Sequence, residues 1–275
     1  MPGGFPFGRS VCNVNSPNAS ANSGAGTSVT GAHNSYGAWT QLVASTAIDA
    51  CWICIRIQPT QTTSPRALTN IGVGSGGNEI AIFKDLYASG LTFGYSNIDY
   101  WLPCSIPAGT RISAQCCQSA AADANNITVI LYDGSFTPDG FSGVDSFGVT
   151  VGSCSVNDID PGSSANVKGA WTQIIASTSR DYCGLIYATG QNSTDNFSFA
   201  GPGGIDVAIG GSGSEQVILA DMGLCKVYSF AATSAYAHFV DVEIPAGTRI
   251  AARAQQGNTS SGTRVAGLAL YGVYQ

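Results

Sequence analysis

The chain has 275 residues, 44% of them hydrophobic, which suffices for a packed core and is too many for a disordered chain. Only 10% are charged, and the 11 basic residues are scattered singly under a net charge of −6. That excludes a duplex-binding surface, which needs clustered Lys and Arg, and no apolar run is long enough to span a bilayer as a helix.

Met1-Pro-Gly-Gly-Phe-Pro-Phe-Gly-Arg9 has no basic segment followed by an apolar one, so synthesis and folding in a bacterial cytoplasm are expected. Residues 1–11 read as a Gly- and Pro-rich arm, with Phe5 and Phe7 as candidate contacts to a neighbouring subunit. Gly37-Ala-Trp-Thr-Gln41 opens a strand over Trp39–Ala44. A hairpin-length loop, Ser45–Asp49, joins it to a strand in which Cys51, Ile53, Ile55 and Ile57 alternate with Ala50, Trp52, Cys54 and Arg56. The first set is expected to face the core, with Cys183, Leu185 and Tyr187 as its later counterpart. Gly72–Gly77 turns into a strand at Glu79–Lys84, and Pro107-Ala-Gly109 turns into one at Thr110–Cys117. Ile127–Tyr132 closes the set.

The same elements then return in order. Gly37–Gln41 recurs letter for letter at Gly169–Gln173, and Ile71–Glu79 recurs as Val207-Ala-Ile-Gly-Gly-Ser-Gly-Ser-Glu215. Ile106-Pro-Ala-Gly-Thr-Arg-Ile112 recurs unchanged at Ile244–Ile250, and Leu131-Tyr132 matches Leu270-Tyr271. An ordered repeat with a slowly growing offset is one duplicated fold with small loop insertions. The expected organisation is an arm over 1–11, a first β-sandwich over 12–136, a junction over 137–147 and a second β-sandwich over 148–275. No segment has sustained helical periodicity, so the fold class is all-β, two tandem homologous sandwiches of jelly-roll-like length.

Candidate chemistry is sparse. The two histidines, His33 and His238, occupy different places in the two copies, and no serine lies in a nucleophile-elbow context. Glu79 and Asp85 recur as Glu215 and Asp221, but six strand residues separate each pair by roughly 20 Å, too far for a glycosidase acid and nucleophile. Glu79 is expected to pair with Arg111, and Glu215 with Arg249, as a partly buried or inter-subunit structural pair. Trp39 and Trp171, inside the strongest repeat motif, are expected to anchor the cores. Trp52 and Trp101, which have no repeat partner, are the candidate interface or ligand contacts. Cys51-x-x-Cys54 on a strand points to opposite faces, so neither metal binding nor redox pairing is expected, and the nine cysteines read as mostly buried free thiols. No metal or other cofactor is expected: the glycine runs lack the helix and lysine of a phosphate loop, and the aspartates lack EF-hand spacing.

The Ile-Pro-Ala-Gly-Thr-Arg-Ile motif with its extension Ala251-Ala-Arg-Ala-Gln255, the Gly-rich turn and the following Ser-Glu resemble structural virion proteins of tailed bacteriophages. The resemblance implies a non-enzymatic virion component, a capsid decoration or part of the tail or fibre, that forms a symmetric homo-oligomer. It brings no catalytic residues. A trimer that contacts other virion proteins is the expected state. Two alternatives stay open: a module that binds a receptor or a host surface glycan through Trp52 and Trp101, and a tandem-jelly-roll major capsid protein.

Overall fold

The computed structural model describes residues 11–14, 26–59, 66–89, 97–120, 124–133, 142–190, 203–224, 236–237, 239–257 and 265–275. Strands β1 (Val11–Val14), β2 (Thr27–His33), β3 (Thr40–Val43), β4 (Ala50–Pro59), β5 (Arg66–Val73), β6 (Ile80–Ser89), β7 (Ile98–Ile106), β8 (Ile112–Gln118) and β9 (Ala124–Tyr132) make the first half. The second half has β10 (Gly143–Phe147), β11 (Val149–Thr150), a single 3-10 turn at Val151–Ser153, β12 (Ser155–Ile159), β13 (Thr172–Ile175), β14 (Tyr182–Gly190) and β15 (Gly203–Ile209). It continues through β16 (Gln216–Leu224), β17 (Tyr236–Ala237), β18 (Phe239–Ile244), β19 (Ile250–Gln256) and β20 (Ala266–Tyr274).

The two halves have one topology. In the first, β1 and β2 flank β9, followed by β4 and β7, while the facing sheet runs β3-β8-β5-β6. In the second, β10 and β12 flank β20, followed by β14 and β18, opposite β13-β19-β15-β16. Counted within each half, this interleaving of first, last, third and sixth strands over second, seventh, fourth and fifth is a jelly roll. Alternation alone leaves that topology open; the strand pairings determine it. The motif Pro-Ala-Gly makes the same turn twice, with glycine in the left-handed region (Gly109 φ 84°, Gly247 φ 80°).

Three details differ from the sequence reading. Gly143–Phe147, expected in the junction, is the first strand of the second half and pairs along β20. Leu131 is not the counterpart of Leu270: Ile53 faces Leu131, whereas Leu185, its equivalent on β14, faces Gly272. A slip of two residues keeps every side chain on its face, so a periodicity argument does not detect it. Finally, Cys183, expected on the core face, is half-buried beside a register shift between Tyr182 and Gly184 and packs against the cluster that includes Tyr271 and Val273, its Sγ 3.5 Å from the Val273 carbonyl.

Each half encloses its own apolar layer, but the first layer does not end at the first half. Ile186, Ala188, Ala269, Tyr271 and Val273, on the outer face of the second half's β10-β20-β14-β18 sheet, are buried in one cluster with Leu86, Tyr87 and Tyr100. That sheet is covered on both sides, which is why β20 reads as an almost unbroken buried run where the equivalent β9 alternates. The short β17 also joins the edge of β7 in parallel. No helix among the described residues is long and apolar enough to cross a membrane.

Candidate functional site

The repeated motifs converge on one clasp, built twice. Arg111 donates from Nη1 to Glu79 Oε1 (2.7 Å) and to the Gly74 carbonyl (3.2 Å), and from Nε to Gln41 Oε1 (2.9 Å). Arg249 does the same to Glu215 (3.1 Å), Gly210 (3.1 Å) and Gln173 (3.1 Å). The second carboxylate oxygen accepts a backbone amide in each copy, from Gly77 or Gly213. The Gln of Gly-Ala-Trp-Thr-Gln, the glycine-rich turn, the Glu and the motif Arg therefore form one knot tying three strands together. The Arg111 guanidinium holds the Glu79 carboxyl below the usual range. At Glu215 burial pushes the other way, and the backbone amides and Arg249 prevail. Both carboxylates have their oxygens engaged, an arrangement that locks strands rather than presenting a proton.

Trp39 and Trp171 are not core residues: both are partly exposed. The Trp39 ring lies where a side chain on Gly72 would stand (2.7 Å from a Cβ built there), and the Arg253 guanidinium sits 4.4 Å over the Trp171 ring. They precede β3 and β13 and lie across the outside of the neighbouring sheet, so repetition marked a surface brace and not a core anchor.

Trp52 and Trp101 share the outer face of the first half's β4-β7 pair. The Trp101 and Tyr132 rings stack at 5.2 Å with a 37° tilt. Cys54 is buried on that face, and burial pushes its thiol up to about 12, with Asp99 adding to the effect. Trp52 Nε1 is buried with no hydrogen-bond partner, and Arg56 clamps Asp99 through two bonds (2.8 and 2.6 Å). Phe5, Phe7 and His238 lie outside the described residues, and His33 is exposed beside Asn34. Seven of the described cysteines are free, six of them buried, including Cys51 and Cys54.

Two clusters were not anticipated. One is the seam between the halves. Asp85 sits at a bulge in left-handed conformation (φ 58°), its amide held by Asn70 Oδ1 at 2.8 Å. Its carboxylate accepts the Tyr36 hydroxyl (2.5 Å) and, from the other half, the Ser146 hydroxyl (2.6 Å). The Tyr271 hydroxyl donates to the Asp85 carbonyl (2.9 Å) and accepts the Tyr87 amide (2.7 Å), with the Tyr100 hydroxyl 3.4 Å away. Burial pushes the Tyr36, Tyr100 and Tyr271 phenols above their ordinary value, so the seam is neutral in its hydroxyls at any physiological pH.

The other cluster occupies the equivalent place in the second half. Asp221 has the same left-handed bulge (φ 50°), its amide held by Asp206 Oδ1 at 2.9 Å. Lys168 bridges Asp206 (2.5 Å) and Asp221, and Arg253 reaches Asp206 Oδ2 at 2.9 Å. Burial works to raise the Asp206 carboxyl; hydrogen bonds from Lys168, the Asp221 amide and Arg253 outweigh it and hold it below the ordinary value. The signal was in the repeat: Tyr36, Asn70 and Gln115 become Lys168, Asp206 and Arg253 together, a coordinated switch from neutral to charged.

No family model and no curated protein sequence matches the chain. Distant likenesses to solved structures exist. A structure of PNGF-II has a TM-score of 0.42 at 10% identity over 96% of this chain; the chain spans 65% of that protein's length. The CBM22-1-CBM22-2 tandem of Paenibacillus barcinonensis Xyn10C has a TM-score of 0.28 at 10% identity, covering 96% of this chain and 91% of that one. The VP2 subviral particle of infectious bursal disease virus has 0.27 at 9%, covering 84% and 58%. Likenesses this remote do not bear on what the chain does.

Proposed function

We propose that the chain is a non-enzymatic structural component of a bacteriophage virion, a capsid decoration or part of the tail or fibre, that works by assembling with itself and with other virion proteins. The observation that carries this reading is the use of the shared residues. In both copies the repeated Gln, Glu, Arg and turn glycines are consumed in the strand-locking clasp, and the two jelly rolls are joined across a seam of buried apolar side chains and hydroxyls gathered on Asp85. Such a unit is a building block, and the low charge of the chain reduces the repulsion that close self-packing would meet. The resemblance of the Ile-Pro-Ala-Gly-Thr-Arg-Ile segments to phage virion proteins supplies the setting. Quantitative mass spectrometry of purified particles of the encoding phage tests this: a stoichiometric particle component is expected, and absence from the particle overturns the proposal. Glu79→Gln and Glu215→Gln serve as the control for hidden hydrolytic activity; any glycan-cleaving rate lost in these variants contradicts the non-enzymatic reading.

A further inference from the structure

The ladders give a residue-by-residue equivalence between the outer faces of the two halves. Cys54 pairs with Trp101 and Ile130, and Ile186 pairs with Phe239 and Tyr271. Trp52 pairs with Tyr132 as Gly184 pairs with Val273. The two faces have different fates. In the second half, Ile186, Tyr271 and Val273 are buried against β6 of the first half. In the first half, Trp52, Trp101, Ile130 and Tyr132 are apolar, in the same positions, and partly exposed.

The surface that receives this face has a second copy as well. In the first half it is β6 with its bulge, where Asp85 and Tyr87 meet Ser146 and Tyr271. In the second half it is β16, where Asp221 and Gly223 take the places of Asp85 and Tyr87. Among the described residues β16 is the edge of its sheet; the Asp221 side chain is 63% exposed, Val217 on the same strand is 44% exposed, and a Cβ built on Gly223 meets nothing within 4 Å. An open edge strand with an apolar side chain invites pairing or cover.

The free copies of the two surfaces have diverged in concert. Around the Asp85 carboxylate the seam within the chain is uncharged, with Ala188 on the face and Asn70, Tyr36 and Gln115 around the receiving bulge. The partly exposed face of the first half carries the Arg56–Asp99 pair where Ala188 stood, and the bulge of the second half carries Lys168, Asp206, Asp221 and Arg253. Charges of both signs stand on both surfaces: the Arg56 side chain is 41% exposed beside Asp99, and the Asp221 side chain 63% exposed beside Lys168. Bulk is exchanged too: the large Tyr87 of the seam becomes Gly223, leaving space opposite a face that has gained Trp52 and Tyr132.

We propose that the outer β9-β4-β7 face of the first half docks on the β16 bulge surface of the second half of another copy of this chain, repeating between chains the contact that joins the halves within one. The inference rests on the self-assembly reading above and names its surfaces. A contact between two different patches is head-to-tail, so it closes into a ring or runs on as a filament. A ring of three chains would present six jelly rolls in series.

Complementary variants test it. Ile130→Lys alters the face and Gly223→Arg the bulge surface; should either fail to fold by circular dichroism, Trp101→Gln and Val217→Lys replace them. By analytical ultracentrifugation at about 10 µM, wild type is expected to assemble and each variant to dissociate at least about tenfold more readily. A one-to-one mixture of the two variants is expected to form a one-plus-one dimer and nothing larger, since one intact face meets one intact bulge. Folded variants that assemble like wild type, or dissociated variants whose mixture stays monomeric, overturn the inference and leave the self-assembly reading standing. A monomeric wild type removes that reading itself. Glycan-array binding that Trp101→Gln abolishes while assembly persists gives the face to a sugar and also overturns the inference.

Discussion

Tyr271→Phe removes one oxygen from the seam and keeps the ring, which packs edge-on to Tyr100 (5.6 Å, 88°). That oxygen accepts the Tyr87 amide at 2.7 Å and donates to the Asp85 carbonyl at 2.9 Å. Both Tyr87 and Tyr271 are wholly buried, so water does not replace the lost acceptor. An orphaned buried amide costs about 1–3 kcal/mol and the lost bond to a carbonyl about 0.5–1.5, giving an expected destabilisation of about 2–4 kcal/mol. In urea, with a slope of about 2–3 kcal/mol/M for a chain of this size, the midpoint moves down by about 1 M. Ser146→Ala, which removes the other hydroxyl that the second half donates to Asp85, completes a double-mutant cycle in which the two losses are non-additive by at least about 0.5 kcal/mol. A Tyr271→Phe effect below about 0.5 kcal/mol refutes the claim that this hydroxyl bridges the halves.

Gly190→Ala places a Cβ 2.9 Å from both the Tyr87 ring and Ser89 Cβ, and is expected to lose about 1–3 kcal/mol through overpacking of the same seam, measured by thermal unfolding. Acid weakens the clasps in a defined direction. The Glu79 and Glu215 carboxyls lie below their ordinary 4.5 and Asp206 below 3.8 in the folded chain, so their stabilisation is complete above those values and disappears as pH falls through the folded ones. Urea midpoints are therefore flat in these groups from about pH 5 to 7 and fall below about pH 4, and Glu79→Gln with Glu215→Gln makes that acid limb shallower. Burial pushes the thiols of Cys54 and Cys116 to about 12 and about 11 and raises that of Cys104 as well. Iodoacetamide at pH 8 is expected to leave all three unmodified in the native chain and to alkylate them in urea, read by peptide mass; rapid native labelling contradicts the packing described.

The fold was legible because duplication doubled its signals: the turn glycines, the strand order and the Glu–Arg pair each occur twice. The Glu–Arg pair of the clasp was legible for the same reason, since Glu79 and Arg111 recur as Glu215 and Arg249; the glutamine and turn-glycine bonds that complete it came from the structure. What escaped was information carried by difference. Ala266–Tyr274 is apolar on both faces while Ala124–Tyr132 carries Asn126 and Thr128, and that loss of alternation marks a sheet covered twice. Reading only shared positions discarded it, along with the switch of Tyr36 and Asn70 to Lys168 and Asp206. Trp39 and Trp171 were misplaced for a related reason. Repetition shows that a position matters to the fold, but a tryptophan braced across a glycine on the outside of a sheet repeats as faithfully as one in the core.

The central claim is that the chain is a self-assembling building block, and native mass spectrometry of the full chain tests it most directly. The account predicts a mass that is a multiple of 28.1 kDa, three copies for the expected trimer, in a species that persists at micromolar concentration. A single 28.1 kDa species under those conditions contradicts it.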